Sequence, residues 1–324
     1  MRQPLIIQAS ACVMGKNVAK FQGERNMPRV DRRRFLEETL LAGAVLAAGP
    51  LAKVFAEPSG TRGSHMGFGL VTYNWGKDWD LPTLIGNCET AHVLGVELRT
   101  THAHGVEPSL NIGQRLEVKA RFSDSPVTLV GLGSNERFDH PEPQALQAAI
   151  EATKAFVKLG HDAGASGVKV KPDSFQKDVP REKTIDQIGK SLNLVGAFGA
   201  DYGQQIRLEV HGQCAPLPII REIMEVADHP NVGVCWNCNP QDIEGEGLEH
   251  NFNLVKDRFG ATAHVRPLHS PDYPYRQLIG LYVNMDYHGW IMLEDGRVPD
   301  DPVTLLAQQA VLFEKMVAEA QDAP

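Results

Sequence analysis

Glu209, Asn237, His264 and Glu294 each sit in or just after a short apolar run. The runs are Leu208-Glu209-Val210-His211, Val234-Cys235-Trp236-Asn237, His264-Val265-Arg266 and Ile291-Met292-Leu293-Glu294. Side chains alternate faces along a strand, so Leu208 and Val210 point one way while Arg207, Glu209 and His211 point the other. Two carboxylates, one imidazole and one amide make an oxygen-rich donor set. Such a set suits Mn²⁺ first, with Mg²⁺, Co²⁺ and Zn²⁺ also compatible. A salt-bridged interior without metal, with Arg207 and Arg266 neutralising the glutamates, is the competing reading of the same residues.

Other ionisable groups recur in the same way. Glu97 and Arg99 end one run, Lys169 and Lys171 another, and Arg266 follows His264 by two residues. An unpaired buried charge costs several kcal/mol, so this many on one wall argues for a polar cavity rather than a conventional core. Candidate substrate contacts are Glu97, Lys169, Lys171, His211 and Arg266 on that wall, His102 in a His-rich loop, and Trp236. Trp75 is a second indole able to stack on a sugar face. The segments His269-Ser270-Pro271 and Tyr273-Pro274-Tyr275 read as a loop rimming the site.

The elements that must position these residues alternate strand and helix from residue 67 onward. Predicted strands cover 67–74, 96–100, 127–131, 167–171, 206–211, 232–237, 262–267 and 290–294. Helical periodicity or capping signals lie between them, with a helix predicted near 251–259 and a last one opened by Asp301 and Pro302. Eight such units in about 260 residues predict an α/β fold, a (β/α)8 TIM barrel whose active site lies at the C-terminal ends of the strands. No Gly-rich phosphate turn follows the first strand, which argues against an open doubly wound sheet.

The chain has 324 residues, 42% hydrophobic and 22% charged. Its beginning reads as a leader. Arg32-Arg33-Arg34-Phe35-Leu36 precedes a weakly apolar run, Pro50 and Val54-Phe55-Ala56, a pattern that resembles a twin-arginine export signal. Residues 1–56 are therefore expected to be an export signal, with Met27 as an alternative start. Residues 57–66 are expected to be a linker, and residues 67–324 the catalytic barrel of a periplasmic or otherwise exported protein. The leader holds nine Lys/Arg and four Asp/Glu, so the remainder carries 23 basic and 36 acidic residues, a net −13. That charge repels nucleic acid, and after signal removal no membrane partner is expected. Of five cysteines, Cys235 and Cys238 have CxxC spacing, read here as incidental.

With these residues in place, the chain resembles the xylose isomerase-like TIM-barrel superfamily, the sugar phosphate isomerase/epimerase group, over roughly residues 67–320. The resemblance implies that Glu209, Asn237, His264 and Glu294 bind one divalent metal and that Glu209 and Glu294 exchange protons with the substrate. It departs at Asn237, where the family usually has Asp. The implied activity is a sugar isomerase or epimerase moving a proton next to a carbonyl, through an enediolate whose charge the cation stabilises. The same machinery acts as a lyase or dehydratase on a keto-sugar or 3-keto-glycoside with a leaving group β to the carbonyl. A non-catalytic carbohydrate-binding barrel is the remaining alternative. The implied partner is a small sugar or keto-sugar, and the family resemblance also implies a homodimer.

Overall fold

The computed structural model describes residues 61–323; the export signal read in residues 1–56 lies outside them. The strands are β1 (Gly67–Val71), β2 (Gly95–Arg99), β3 (Thr128–Arg137), β4 (Gly167–Lys171), β5 (Gln205–Glu209), β6 (Val232–Cys235), β7 (Thr262–Val265) and β8 (Trp290–Leu293). The helices are α1 (Leu81–Thr90), α2 (Ile112–Ser123), α3 (Pro143–Ala163), α4 (Arg181–Asp201), α5 (Leu217–Val226), α6 (Leu248–Asn253), α7 (Tyr275–Asn284) and α8 (Pro302–Gln321). All neighbouring strands pair in parallel in the order β6-β5-β4-β3-β2-β1-β8-β7. Bridges from Val234 to Phe259 and from Asn237 to His264 join the two ends, with the His264 N–H donating to the Trp236 carbonyl at 2.7 Å. The predicted (β/α)8 barrel is thus formed and nearly closed.

Side-chain alternation builds its two layers. Val168, Val170, Leu208, Val234, Ala263, Val265, Ile291 and Leu293 are buried under the helices. Glu97, Lys169, Arg207, Glu209 and His264 are equally buried but occupy the other face, inside the barrel. Helix starts follow their capping residues: Asp80 accepts from the Thr83 N–H, Asn111 and Gln114 form a reciprocal cap, and Asp301 accepts from the Thr304 N–H.

Arg207 fills the barrel floor and makes no ion pair with Glu209 or Glu294, contrary to the metal-free sequence reading; Glu97 is the carboxylate whose charge it feels most. It donates to the Val130 carbonyl at 3.1 Å, Ser166 Oγ at 2.7 Å and Gln205 Oε1 at 3.1 Å. Gly131 and Gly167 leave room for it, since a Cβ on either would fall 2.8 Å from its guanidinium.

Several boundaries differ from the sequence prediction. β1 stops at Val71 because Thr72 Oγ1 takes over the next ladder bond, accepting from the Arg99 N–H at 2.9 Å. β3 runs on to Arg137, which pairs with Lys171 beyond an irregularity in register. The helix predicted near 251–259 is α6 followed by one 3₁₀ turn, Lys256–Arg258. Cys88, Cys214, Cys235 and Cys238 are all buried free thiols.

Candidate active site

Glu209 ends β5 and His264 lies within β7, while Asn237 and Glu294 follow β6 and β8 by two residues and one residue. One ligand atom each from Glu209, His264 and Glu294 falls within 4.8 Å of the others. His264 Nδ1 lies 3.2 Å from Glu294 Oε2 and 3.6 Å from Glu209 Oε1, is buried, and makes no hydrogen bond. The Asn237 amide nitrogen donates to Glu209 Oε1 at 3.2 Å; a half-turn of that amide would present its oxygen instead. A buried imidazole nitrogen without a partner, two carboxylate oxygens turned toward it and an adjacent amide together fit a divalent cation.

Each glutamate is divided between two duties. Its oxygen away from His264 is held by a cation: Lys169 Nζ sits 2.6 Å from Glu209 Oε2, and Arg99 Nη1 sits 3.0 Å from Glu294 Oε1. Burial pushes the Glu209 carboxyl up, but Lys169 and then His264 outweigh it and hold it well below the usual range. Glu294 is lowered in the same sense, with His264 the main opponent of burial. Lys169 stays an ammonium because Glu209 overcomes the opposite effect of its burial.

Glu97 does not reach the cavity. It is fully buried, and its Oε1 lies 3.3 Å from His264 Nε2. It therefore orients the imidazole from behind rather than touching substrate. Lys169 is likewise enclosed, with substrate access blocked by its own ion pair.

The cavity above these groups has a volume of about 540 Å³ and is lined by Glu209, Asn237 and Glu294 with Lys171, His211 and Arg266. Tyr73, Arg99, Asp295, Gly296 and Arg297 complete the wall. Arg99 lies over the Tyr73 ring, 5.1 Å from its centroid, and also donates to Asn135 Oδ1 at 3.1 Å. The loop after β8 is tied across the mouth: Asn74 donates to the Gly296 carbonyl and Trp75 to the Arg297 carbonyl, both at 2.6 Å.

Trp236, Trp75 and His102 do not line the cavity, contrary to expectation. Trp236 is fully buried beneath the helices against Phe252 and Phe259, so it offers no face to a sugar. Trp75 is spent on pinning the loop after β8. His102 pairs with Thr72 Oγ1 at 3.3 Å outside the cavity lining, and His104 bridges the Arg99 carbonyl and the Val106 N–H. The segment over 269–275 lines a cavity of about 580 Å³ against Leu312 and Met316 of α8, and its Ser270, Asp272 and Tyr273 also share a small recess with Arg266 and Arg297 of the main cavity, beside the site as expected. No acid–base cluster converges in the cavity against α8.

His211 enters the main cavity with its Nδ1 2.6 Å from Asp173 Oδ1. Asp173 is held at φ 54°, a left-handed conformation that Asp tolerates better than most residues. The His211 hydrogen bond is the main cause that lowers its carboxyl to about 2, helped by Lys171 and Arg137. A depressed carboxyl contributes stability above its ordinary value and loses it as the pH falls through the folded one. Asp173→Asn should therefore melt below wild type at pH 7. The two should converge between pH 3.8 and about 2 in thermal melts across an acid series. A gap unchanged at pH 2 would rule the ion pair out as its source.

Arg99, Tyr73, Asp173, Asp295 and Arg297 were not among the sequence candidates for substrate or metal contact. Arg99 carried a signal, two residues beyond Glu97 on the same strand face. Tyr73 carried one too, inside the predicted strand 67–74 and two residues beyond Val71; Asp173, Asp295 and Arg297 come from loops whose course no periodicity reports.

Fold and site together define a parallel barrel with a polar, highly charged mouth. The model of the xylose isomerase-like TIM barrel family matches residues 87–314, and the chain belongs to that family. No curated protein sequence matches it. Among solved structures, 3-keto-D-glucoside 4-epimerase YcjR from E. coli is 13% identical, covers 77% of this chain and 99% of its own, and has a TM-score of 0.65. The IolI protein, solved with a bound zinc atom, is 14% identical over 78% of this chain and 99% of its own, with a TM-score of 0.64. AsbF from Bacillus anthracis, a probable 3-DHS dehydratase, is 15% identical over 77% of this chain and 99% of its own, with a TM-score of 0.58. At these identities the likeness is one of fold.

Proposed function

We propose that this protein is a divalent-metal-dependent isomerase or epimerase of a carbonyl sugar. The observation that carries this reading is the meeting of one oxygen from each of Glu209 and Glu294 with the partnerless Nδ1 of His264 at the floor of a polar cavity. The epimerases among the fold relatives, and the zinc in one of them, point the same way.

Glu209, Asn237, His264 and Glu294 would hold the cation. When bound it would stabilise the negative charge that builds on the carbonyl oxygen as the neighbouring carbon loses its proton. Glu294, at the cavity surface, takes that proton; Glu209, ionised in the resting protein, returns one to the opposite face only after it has itself taken a proton from solvent. Arg99 keeps Glu294 aligned, and the loop tied down by Asn74 and Trp75 narrows the mouth. Glu97 faces His264 Nε2 across 3.3 Å, and its charge favours a proton on that nitrogen, which would leave Nδ1 to meet the cation.

Deuterium uptake by a panel of ketoses, inososes and 3-keto-glycosides in D₂O, run with Mn²⁺-loaded and chelated protein, tests the reading. Metal-dependent uptake with every substituent retained supports it. Loss of a substituent identifies elimination, the chemistry suggested by the dehydratase relative. A protein that binds sugar equally with and without metal and exchanges nothing is a carbohydrate-binding barrel.

Glu97→Gln keeps the shape but removes the charge behind His264. Loss of such a supporting carboxylate typically costs about 10–100-fold in metal affinity. Mn²⁺ titration by calorimetry should show that loss, and an affinity unchanged from wild type would remove Glu97 from the site. Export by the twin-arginine route belongs to the same reading and rests on Arg32 and Arg33. Replacing both by Lys should leave the barrel in the cytoplasm of the source cell, and undiminished export would refute it.

A further inference from the structure

Ion pairs account for every carboxylate in the cavity lining and leave one lining cation without a partner among the described residues and another with only a distant one. Glu209 is matched by Lys169, Glu294 by Arg99, and Asp295 by Arg297, whose Nε lies 3.6 Å away. Lys171 and Arg266 remain. Lys171 makes no hydrogen bond; its nearest anion is Asp173 at 3.9 Å, a carboxylate held much closer by His211 and Arg137. Arg266 makes no ion pair or side-chain hydrogen bond among the described residues, yet both side chains line the cavity.

Their placement is set by the strands. The register of β4 on β5 pairs Lys169 with Arg207 and Val170 with Leu208, which brings Lys171 beside Glu209 at the same height. Arg266 stands two residues beyond His264 on the same face, one layer nearer solvent. Lys171 at the end of β4 and Arg266 just past β7 therefore stand on either side of β5 and β6, the strands that bring in Glu209 and Asn237. Lys171 is half-buried, and burial is the main cause that lowers its ammonium value, a cost an anionic partner would offset. The cavity lining holds four cations against three carboxylates before any divalent cation is added.

We propose that the substrate is an anionic carbonyl sugar, bearing a carboxylate or phosphate that Lys171 and Arg266 hold while its carbonyl end meets the glutamates. The inference rests on the reading of this cavity as a sugar site, and its test uses binding rather than turnover so that the two can fail separately. D-glucuronate, D-glucose and D-glucose 6-phosphate are titrated into the full-length, Mn²⁺-loaded protein by calorimetry. At least one of the anionic sugars should bind about tenfold or more tighter than glucose, since charge-assisted hydrogen bonds are roughly twice as strong as neutral ones. That advantage should shrink in Arg266→Met, an exposed position where folding is not at stake, and vanish in Lys171→Met/Arg266→Met.

Tighter glucuronate than glucose 6-phosphate assigns a carboxylate, and the reverse a phosphate. Equal binding of all three, including none by any, overturns the proposal. So does a preference for anions that survives the double variant, because the bound metal alone would then account for it. Proton exchange lost with the anion preference intact would defeat the isomerase reading and leave this one standing.

Discussion

Lys169→Met is expected to destabilise the metal-free protein by about 3–5 kcal/mol, the cost of leaving one partner of a buried ion pair uncompensated. For a domain of this size that is a fall in Tm of about 6–20 °C. The reason is geometric. Lys169 Nζ lies 2.6 Å from Glu209 Oε2, and both side chains are removed from solvent. Methionine fills a similar volume but gives the carboxylate nothing to answer its charge. Glu209 would then sit buried beside the Asn237 amide and His264, with its direct ion pair gone. Two further outcomes follow. Glu209→Gln in the same background should recover much of the loss, because the orphaned charge is gone. Added Mn²⁺ should raise Tm more for Lys169→Met than for wild type, since the cation binds the folded state and replaces the missing charge. A variant that melts with wild type under both conditions would show that the pair contributes nothing.

The barrel was legible in the sequence because alternation is a strong signal. Leu208 and Val210 against Glu209 and His211 state which face is which, and the same pattern recurs around the sheet. Depth along the lumen was not legible. Glu97, Lys169 and Arg207 share the inward face with Lys171 and Arg266, and period two treats them alike. Register separates them: Val71 opposite Glu97 and Lys169 opposite Arg207 set these groups below the cavity, as floor and support rather than as contacts. Trp236 failed for a related reason. It alternates with Cys235 and Asn237, and the Asn237–His264 bridge turns the amide inward and the indole outward under the helices. The converging set Glu209, Asn237, His264 and Glu294 was readable because each residue closes an apolar run at a strand end. Arg297 and Asp173 sit in loops fixed by Trp75 and by His211, and nothing local announces that.

Glu294→Gln is expected to lower kcat by about 10²–10⁴, the usual worth of a positioned general base. The two glutamates are not equivalent. Glu209 is 2% exposed and locked to Lys169, whereas Glu294 is 11% exposed at the cavity surface and paired with Arg99. Both carboxyls are held below their ordinary value, so each is ionised and able to accept a proton, and access rather than charge singles out Glu294. A glutamine there can still offer an oxygen to a cation and accept from Arg99, but it cannot take a proton. Solvent exchange should therefore collapse while Mn²⁺ content, read by elemental analysis of the purified variant, falls less. Glu294→Asp separates the two duties from the other side. It keeps the charge but shortens the reach, so it should recover part of the exchange with Arg99 left less well paired. Exchange in Glu294→Gln at the wild-type rate would move the base elsewhere in the cavity, whatever the metal content.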